Sequence, residues 1–292
     1  MTVTGSPARR VAGADHPAAP APGASLDDLR ERLRTLSPVI VAFSGGADSA
    51  FLAWVAHDSL GAGAAQIITA VSPSLAPEEE ADCAALAEEW GLRWTAIATG
   101  ELANPDYAAN DGSRCYWCKD ELMAAIGPVA EVCGATVVLG VNLDDLGDHR
   151  PGQQAAIEAG AVFPLLDAGF TKADVRSWSR RLGLRTWDKP AAACLASRVP
   201  YGTPVSLGVL ESVARAESAL RALGYRQLRV RHYGELARLE FDDPELDRAF
   251  EQRDEIVAAV QAAGYRYVTL DLEGFCSGNL NGMLSPRAGP CG

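Results

Sequence analysis

The sequence predicts an α/β protein in which a parallel sheet covered by helices is followed by a smaller α+β domain. Two observations carry this. Apolar runs at Val39–Phe43, Ile67–Val71, Trp94–Ala98 and Thr136–Val141 alternate with helical segments near Ser49–His57, Pro77–Trp90 and Lys119–Val132, the pattern of repeated β-α-β units. From about Val205 to Leu272 the order changes to helix, two adjacent strands ("QLRVRHY" and "ELARLEF"), helix and strand ("YRYVTLDL"). The boundary between the two patterns is expected near Pro200 to Pro204.

Taken in order, residues 1–24 are rich in Ala, Pro and Gly without a hydrophobic period, and are expected to form a disordered leader. "SLDDLRERLRTL" then reads as an amphipathic helix with Ser25 as N-cap and Asp27 and Asp28 at its positive end. The strand and helix alternation follows, implying a parallel sheet with helices on both faces. In "TKADVRSWSRRLGL", Thr171 and Asp174 resemble a capping pair and Gly183 a stop. The segment "DKPAAACLASRVPYGTPV" reads as a loop before the second domain, and residues 283–292 as a flexible tail.

The 292 residues carry 38 acidic and 26 basic side chains, a net charge of -12. That balance offers no general attraction to nucleic acid or an anionic membrane, so neither is expected as a partner. No apolar run approaches the roughly 20 residues that cross a bilayer, and no secretion signal opens the chain, so the sequence reads as cytoplasmic. The seven cysteines, an odd number, argue against a disulfide framework. Cys83 and Cys133 sit in helical apolar contexts and are expected as packing residues.

The first strand stops abruptly in "SGGADS", Ser44 to Ser49. In an open parallel sheet the first turn into a helix is a natural anion site. Gly45 and Gly46 let the backbone approach a phosphate with positive φ, while Ser44 and Ser49 offer hydroxyls. Asp48 is the odd member beside a polyphosphate; helix capping or a share in binding Mg²⁺ would account for it. The kinase-type P-loop and the G-x-G-x-x-G dinucleotide motif are absent from the chain.

Three further cysteines stand in polar, motif-like settings. "SRCYWCKDEL" spaces Cys115 and Cys118 so that both thiols share one side of a turn or helix start. Solvent-facing thiols, half of a zinc site and a redox dithiol are alternatives; the second cysteine or histidine pair that zinc needs is missing. Cys194, in "KPAAACLASRVPYG", is either a small buried hydrophobe or a chemical thiol, and Arg198 four residues on would hold an anionic reactant beside it. Three thiolates from two segments would bind three irons of a [4Fe–4S] cluster and leave the fourth open for an added sulfide.

"SGGADS" after a buried strand resembles the PP-loop of the ATP pyrophosphatases, which cleave ATP between the α and β phosphates to adenylate a carbonyl oxygen. Together "VAFSGGADS", "RCYWCK", "DDLGDHRPG", "KPAAACLASRVPYG", "LRVR" and "RYVTLDLEGFCSGNLN" resemble, in that order, the ATP-dependent sacrificial sulfur transferases (LarE) over roughly residues 26–282. The resemblance implies a PP-loop domain over residues 25–200 and a substrate or oligomerisation domain over 201–282. It also implies adenylation of the carboxylates of pyridinium-3,5-dicarboxylate mononucleotide and their conversion to thiocarboxylates, for the nickel-pincer nucleotide cofactor. Some members give up the sulfur of a single cysteine; others use three cysteines and a [4Fe–4S] cluster, and Cys115, Cys118 and Cys194 make this chain similar to the second kind.

By the same resemblance, Ser44, Gly45, Gly46, Asp48 and Ser49 would bind ATP with Mg²⁺, with Thr69 to Ser74 near the adenosine. Cys194, Asp48 and Arg198 would be catalytic. Ser197, Arg198, Arg229, Arg231 and Glu240 would hold the anionic nucleotide substrate. Strand spacing already puts Arg229 and Arg231 on one face, where a bidentate grip on phosphate or plain solvation are both open. Asp144, Asp145, Arg150 and Cys276 receive no role. The family's tendency to symmetric assembly implies a homo-oligomer. A PP-loop tRNA thiolation enzyme is the alternative; it needs a basic RNA-binding surface, against which the net charge counts.

Overall fold

A computed structural model describes residues 23–147, 151–190 and 193–276. The leader expected up to residue 22, Arg150 and the tail from residue 283 lie outside the described residues. Gly23 and Ala24, also assigned to the leader, are tied to the body: the Gly23 N–H donates to Asp174 Oδ1 at 2.6 Å, and the Ala24 carbonyl accepts from Trp178 Nε1 at 2.9 Å.

The first part runs α1 (Leu26–Leu36), β1 (Val39–Ala42), α2 (Ala47–Leu60), β2 (Ala65–Val71), α3 (Pro77–Trp90), β3 (Trp94–Ala98), α4 (Pro105–Ala108), α5 (Arg114–Cys133), β4 (Thr136–Leu139), α6 (Pro151–Glu158), α7 (Pro164–Asp167) and α8 (Lys172–Arg181). Its strands pair in parallel in the order β3-β2-β1-β4, with Val39 opposite both Ala65 and Thr136. Successive side chains point to opposite faces of a strand. Val39, Val41, Ile67 and Val138 therefore pack into one layer with α1, α2, α3 and α8, while Ile40, Ile68, Val137 and Leu139 pack into the other with α5 and α6. Burial on both faces is why the strands read as continuous apolar runs.

The local signals hold where they are strong. Ser25 accepts from the Asp28 N–H, and Thr171 with Asp174 forms a full capping box. Helix α5 begins at Arg114, earlier than the expected Lys119, so Cys115 and Cys118 lie in its opening turns. Cys83 is buried as expected, but Cys133 is exposed: it is the last residue of α5, where the chain turns away at Gly134. The short helices α4, α6 and α7 were not legible, because a turn or two is too short to display a helical period.

The second part runs α9 (Leu207–Ala222), β5 (Leu228–Tyr233), β6 (Leu236–Phe241), α10 (Leu246–Glu251), α11 (Arg253–Ala262) and β7 (Tyr267–Leu270). Its sheet has the order β5-β6-β7, with β5 and β6 antiparallel and β6 and β7 parallel. Leu210, Val213 and Leu220 of α9 and Val260 of α11 pack on Val230 and Leu239. Tyr107, Leu195, Ala196 and Val199 enter the same core, so the segment after Cys194 is rooted in the smaller sheet.

Gly140, just past β4, marks where the strand end meets the start of α2. A Cβ there would stand 2.9 Å from Ser49 N and 3.0 Å from the Asp48 carbonyl carbon. Gly140→Ala is expected to destabilise the protein by about 1–3 kcal/mol, read as a lowered midpoint of urea unfolding. A wild-type midpoint would show that the loop yields without cost.

Candidate functional site

The glycine loop occupies the carboxyl end of β1, between Phe43, held to β2 through its N–H to Ile68 O at 2.8 Å, and the first turn of α2. Gly45 takes the left-handed conformation at φ +69°, whereas Gly46 does not, with φ -71° as the N-cap of α2. The expectation of positive φ thus holds for Gly45 alone. The turn is cross-tied by its serines: Ser49 Oγ donates to Gly46 O at 3.1 Å, accepts from the Ser44 N–H at 3.2 Å and stands 3.0 Å from Ser44 Oγ. No side chain caps α2, so its first N–H groups have no side-chain acceptor.

Asp48 does not cap the helix. Its Oδ1 accepts from Asn142 Nδ2 at 3.0 Å, and Asn142 is fully buried. Burial raises the Asp48 pKa; Lys172 opposes that shift and Asp145 adds to it. Asp145 is itself buried, accepting from the Asn142 N–H at 3.1 Å, with Lys172 Nζ 3.8 Å away. Asp48 and Asp145 are therefore interacting carboxylates beside the start of α2, with Lys172 as their neighbouring cation.

Cys194 and Cys115 lie near Arg114. Its guanidinium is buried, donates to Ala196 O at 2.9 Å and to Asn110 Oδ1, and lies over the Tyr201 ring at 5.5 Å. Burial disfavours its charge, but the ionisable groups of Cys194, Cys115, Tyr201 and Tyr107 together outweigh that and raise its pKa. Cys118 is pushed up to about 12, first by burial and then by Cys194. Cys115 and Cys194 are exposed. Asn110 makes the clamp: at φ 56° it is the one non-glycine residue of positive φ among the described residues, and its Nδ2 donates to Pro200 O at 2.9 Å and Thr203 O at 2.8 Å. Tyr107, buried, meets Ser74 Oγ at 2.5 Å, and Ser74 O accepts the Leu195 N–H at 2.8 Å. The end of β2 and the Cys194 segment are thereby joined.

Behind that segment lies a buried ionic knot. Arg198 Nε and Nη2 donate to the two oxygens of Glu217 at 2.8 and 3.0 Å, while Nη1 donates to Ala193 O, Cys194 O and Ser197 Oγ at 2.6, 3.1 and 3.0 Å. Arg231 pairs with both oxygens of Glu240 at 2.9 and 2.7 Å and donates to Ser197 O at 2.9 Å. Arg229 lies over the Phe275 ring at 4.8 Å, and its pKa is lowered to about 10 by burial and then by the like charge of Arg198. Neither strand arginine is on a solvated face. Arg229 Nη1 donates to Leu228 O at 2.7 Å, and Glu217 partly offsets the effects of burial and Arg198 on its pKa.

The sequence-predicted residues thus form three groups: Ser44 to Ser49 at the glycine loop, Cys115, Cys118 and Cys194 near one another, and Ser197, Arg198, Arg229, Arg231 and Glu240 beneath the Cys194 segment. Sequence reasoning missed Asn110, Arg114, Asn142 and Glu217. Glu217 had a signal: it occupies the stripe Leu210, Val213, Glu217, Leu220 of α9, an acid on an apolar face. Among the described residues no three His, Cys, Asp or Glu side chains stand close enough to hold a single metal ion. That is no bar to a cluster, in which each thiolate takes a different iron.

No protein-family model matches the chain. It is 48% identical over 264 residues to an uncharacterised Synechocystis protein, covering 89% of this chain and 98% of that one. It is 36% identical over 254 residues to the pyridinium-3,5-bisthiocarboxylic acid mononucleotide synthase of Lactiplantibacillus plantarum, covering 87% and 92%. An uncharacterised Methanocaldococcus jannaschii protein is 26% identical over 248 residues, covering 85% and 94%.

Burial works against the Glu217 carboxylate, but Arg198, then Arg221 and the Val230 N–H outweigh it and hold its pKa below the ordinary value. A depressed folded pKa stabilises the fold above the ordinary carboxylate range, and that stability is lost as pH falls through the depressed value. Glu217→Ala is expected to cost about 3–5 kcal/mol at neutral pH and to flatten the acid limb of the stability profile. Wild-type unfolding with an unchanged acid limb would show that Glu217 does not hold the knot.

Proposed function

The chain belongs to the family of the pyridinium-3,5-bisthiocarboxylic acid mononucleotide synthases, the LarE family, and on that premise we propose that it replaces carboxyl oxygens of a pyridinium dicarboxylate mononucleotide with sulfur at the expense of ATP. The observation that carries this reading is the mutual approach of Cys115, Cys118 and Cys194 from two distant segments, with Cys194 and Cys115 both acting on Cys118 and on the buried Arg114.

Ser44, Gly45, Gly46, Asp48 and Ser49 bind ATP, with Mg²⁺ shared by Asp48. A substrate carboxylate oxygen attacks the α-phosphorus, the bond to the bridging oxygen breaks, and pyrophosphate leaves with the electron pair. The acyl adenylate now carries a good leaving group, so sulfur can take the place of oxygen at the acyl carbon and AMP departs. The free N–H groups at the start of α2 stabilise the departing charge. Arg229 takes the substrate phosphate, lying on the same strand face as Arg231; Arg198 and Arg231 fix the Cys194 and Ser197 backbone beneath the substrate and keep the reacting groups in register. These reactions take place on a protein in which no helix among the described residues is long and apolar enough to cross a membrane.

The donor set of three thiolates beside a buried cation fits a [4Fe–4S] cluster held by Cys115, Cys118 and Cys194. When bound, the cluster supplies a sulfide on its open iron as the sulfur nucleophile.

Protein prepared without oxygen is expected to be brown, with roughly four irons and additional sulfide per chain, and Cys194→Ala to lose most of the iron. A colourless, zinc-loaded protein would overturn the cluster while leaving adenylation standing. Pyrophosphate release from ATP is expected to require the pyridinium dicarboxylate mononucleotide; release driven by tRNA instead would replace this reading with the tRNA thiolation alternative.

A further inference from the structure

Lys189 has no part in the mechanism above, yet it stands against the glycine loop. Its ammonium donates to Glu79 Oε2 at 2.8 Å and to Asp82 Oδ2 at 2.6 Å, both on α3. A Cβ placed on Gly45 would lie 3.6 Å from that nitrogen. The Lys189 carbonyl accepts from Arg176 Nη2 at 3.3 Å, and Arg176 is one helical turn from Lys172 on α8. Lys172 and Arg176 both act on the Asp48 carboxyl at the start of α2. Three cations from α8 and the segment after it therefore gather around one loop, in a chain whose net charge is -12.

A triphosphate is strongly anionic, and a helix end contributes only about half a positive charge. Backbone N–H groups alone would leave the β and γ phosphates poorly compensated in an acidic protein. Lysine suits the task, since its point charge and flexible stem can exchange one anionic partner for another. Its side chain is 16% exposed, so the ammonium is reachable without unfolding the pocket.

We propose that Lys189 is a phosphate-binding residue, whose ammonium contacts the β and γ phosphates of ATP at the glycine loop and gives up a carboxylate partner to do so. This rests on the ATP reading under Proposed function. Glu79 and Asp82 hold the side chain in place and compete with the nucleotide for it; Lys172 and Arg176 line the approach.

The test is calorimetric titration of the full chain with Mg²⁺·ATP and, separately, with AMP. Lys189→Gln is expected to weaken ATP about 10–100-fold, the worth of a charge-assisted hydrogen bond, but AMP by less than about threefold, because AMP lacks the phosphates concerned. Lys189→Arg should retain most of the ATP affinity. Asp82→Asn, which removes a competing carboxylate, should leave ATP binding unchanged or tighter. Equal weakening of ATP and AMP in Lys189→Gln, or weaker ATP binding in Asp82→Asn, would overturn the proposal in favour of a strut between α3 and the Lys189 segment. Wild-type protein that binds ATP no better than Lys189→Gln would overturn this inference alone. Wild-type protein that binds neither nucleotide would overturn the ATP reading and this inference with it.

Discussion

The pair formed by Arg198 and Glu217 is the contact on which the arrangement of the site depends. Glu217 sits on α9, fully buried, and its two oxygens take hydrogen bonds from Arg198, from Arg221 and from the Val230 N–H of β5. Arg198 in turn reaches the carbonyls of Ala193 and Cys194. One carboxylate therefore fixes a helix, a strand and the cysteine segment relative to one another. A buried ion pair contributes little net stability over a well-packed apolar pair, since desolvation consumes most of the attraction. What it contributes here is geometry: both charges are costly unless each donor and acceptor meets its partner, so the segment has one low-energy arrangement.

The protein is acidic as a whole, yet four of its guanidinium groups are buried near the Cys194 segment. Arg114, Arg198, Arg229 and Arg231 are all at most 8% exposed, although the chain carries an excess of twelve negative charges. Net charge speaks to long-range attraction of polyanions, whereas the field inside a cleft is set by the few charges that line it. Arg231 and Arg198 spend their donors on Glu240, Glu217 and backbone carbonyls. They act as struts that hold the Cys194 segment against α9 and β5.

The two sheets meet through the Cys194 segment. Leu195 and Ala196 are packed into the core of the smaller sheet, while the Leu195 N–H is bonded to Ser74 at the end of β2 in the larger one. Tyr107 closes the same junction, buried in the smaller core and bonded to Ser74. The cysteine thus sits on a seam between the sheet that carries the glycine loop and the sheet that carries the arginines.

The sequence alone determined the parallel sheet, the glycine turn after β1, the N-caps of α1 and α8 and the trio of cysteines, because each is written in a local period or a short motif. It also placed Arg229 and Arg231 on one strand face, since strand periodicity is local too. What only the tertiary structure decided is which side chains those motifs meet. Arg198 and Glu217 are 19 residues apart, Arg114 and Ala196 82, Asp48 and Asn142 94, and Lys189 and Glu79 110. No period or propensity reaches over such distances. Whether an arginine faces solvent, a carboxylate or a backbone carbonyl is settled by packing, which brings the helix ends, the cysteine segment and β5 into contact only once both cores have formed.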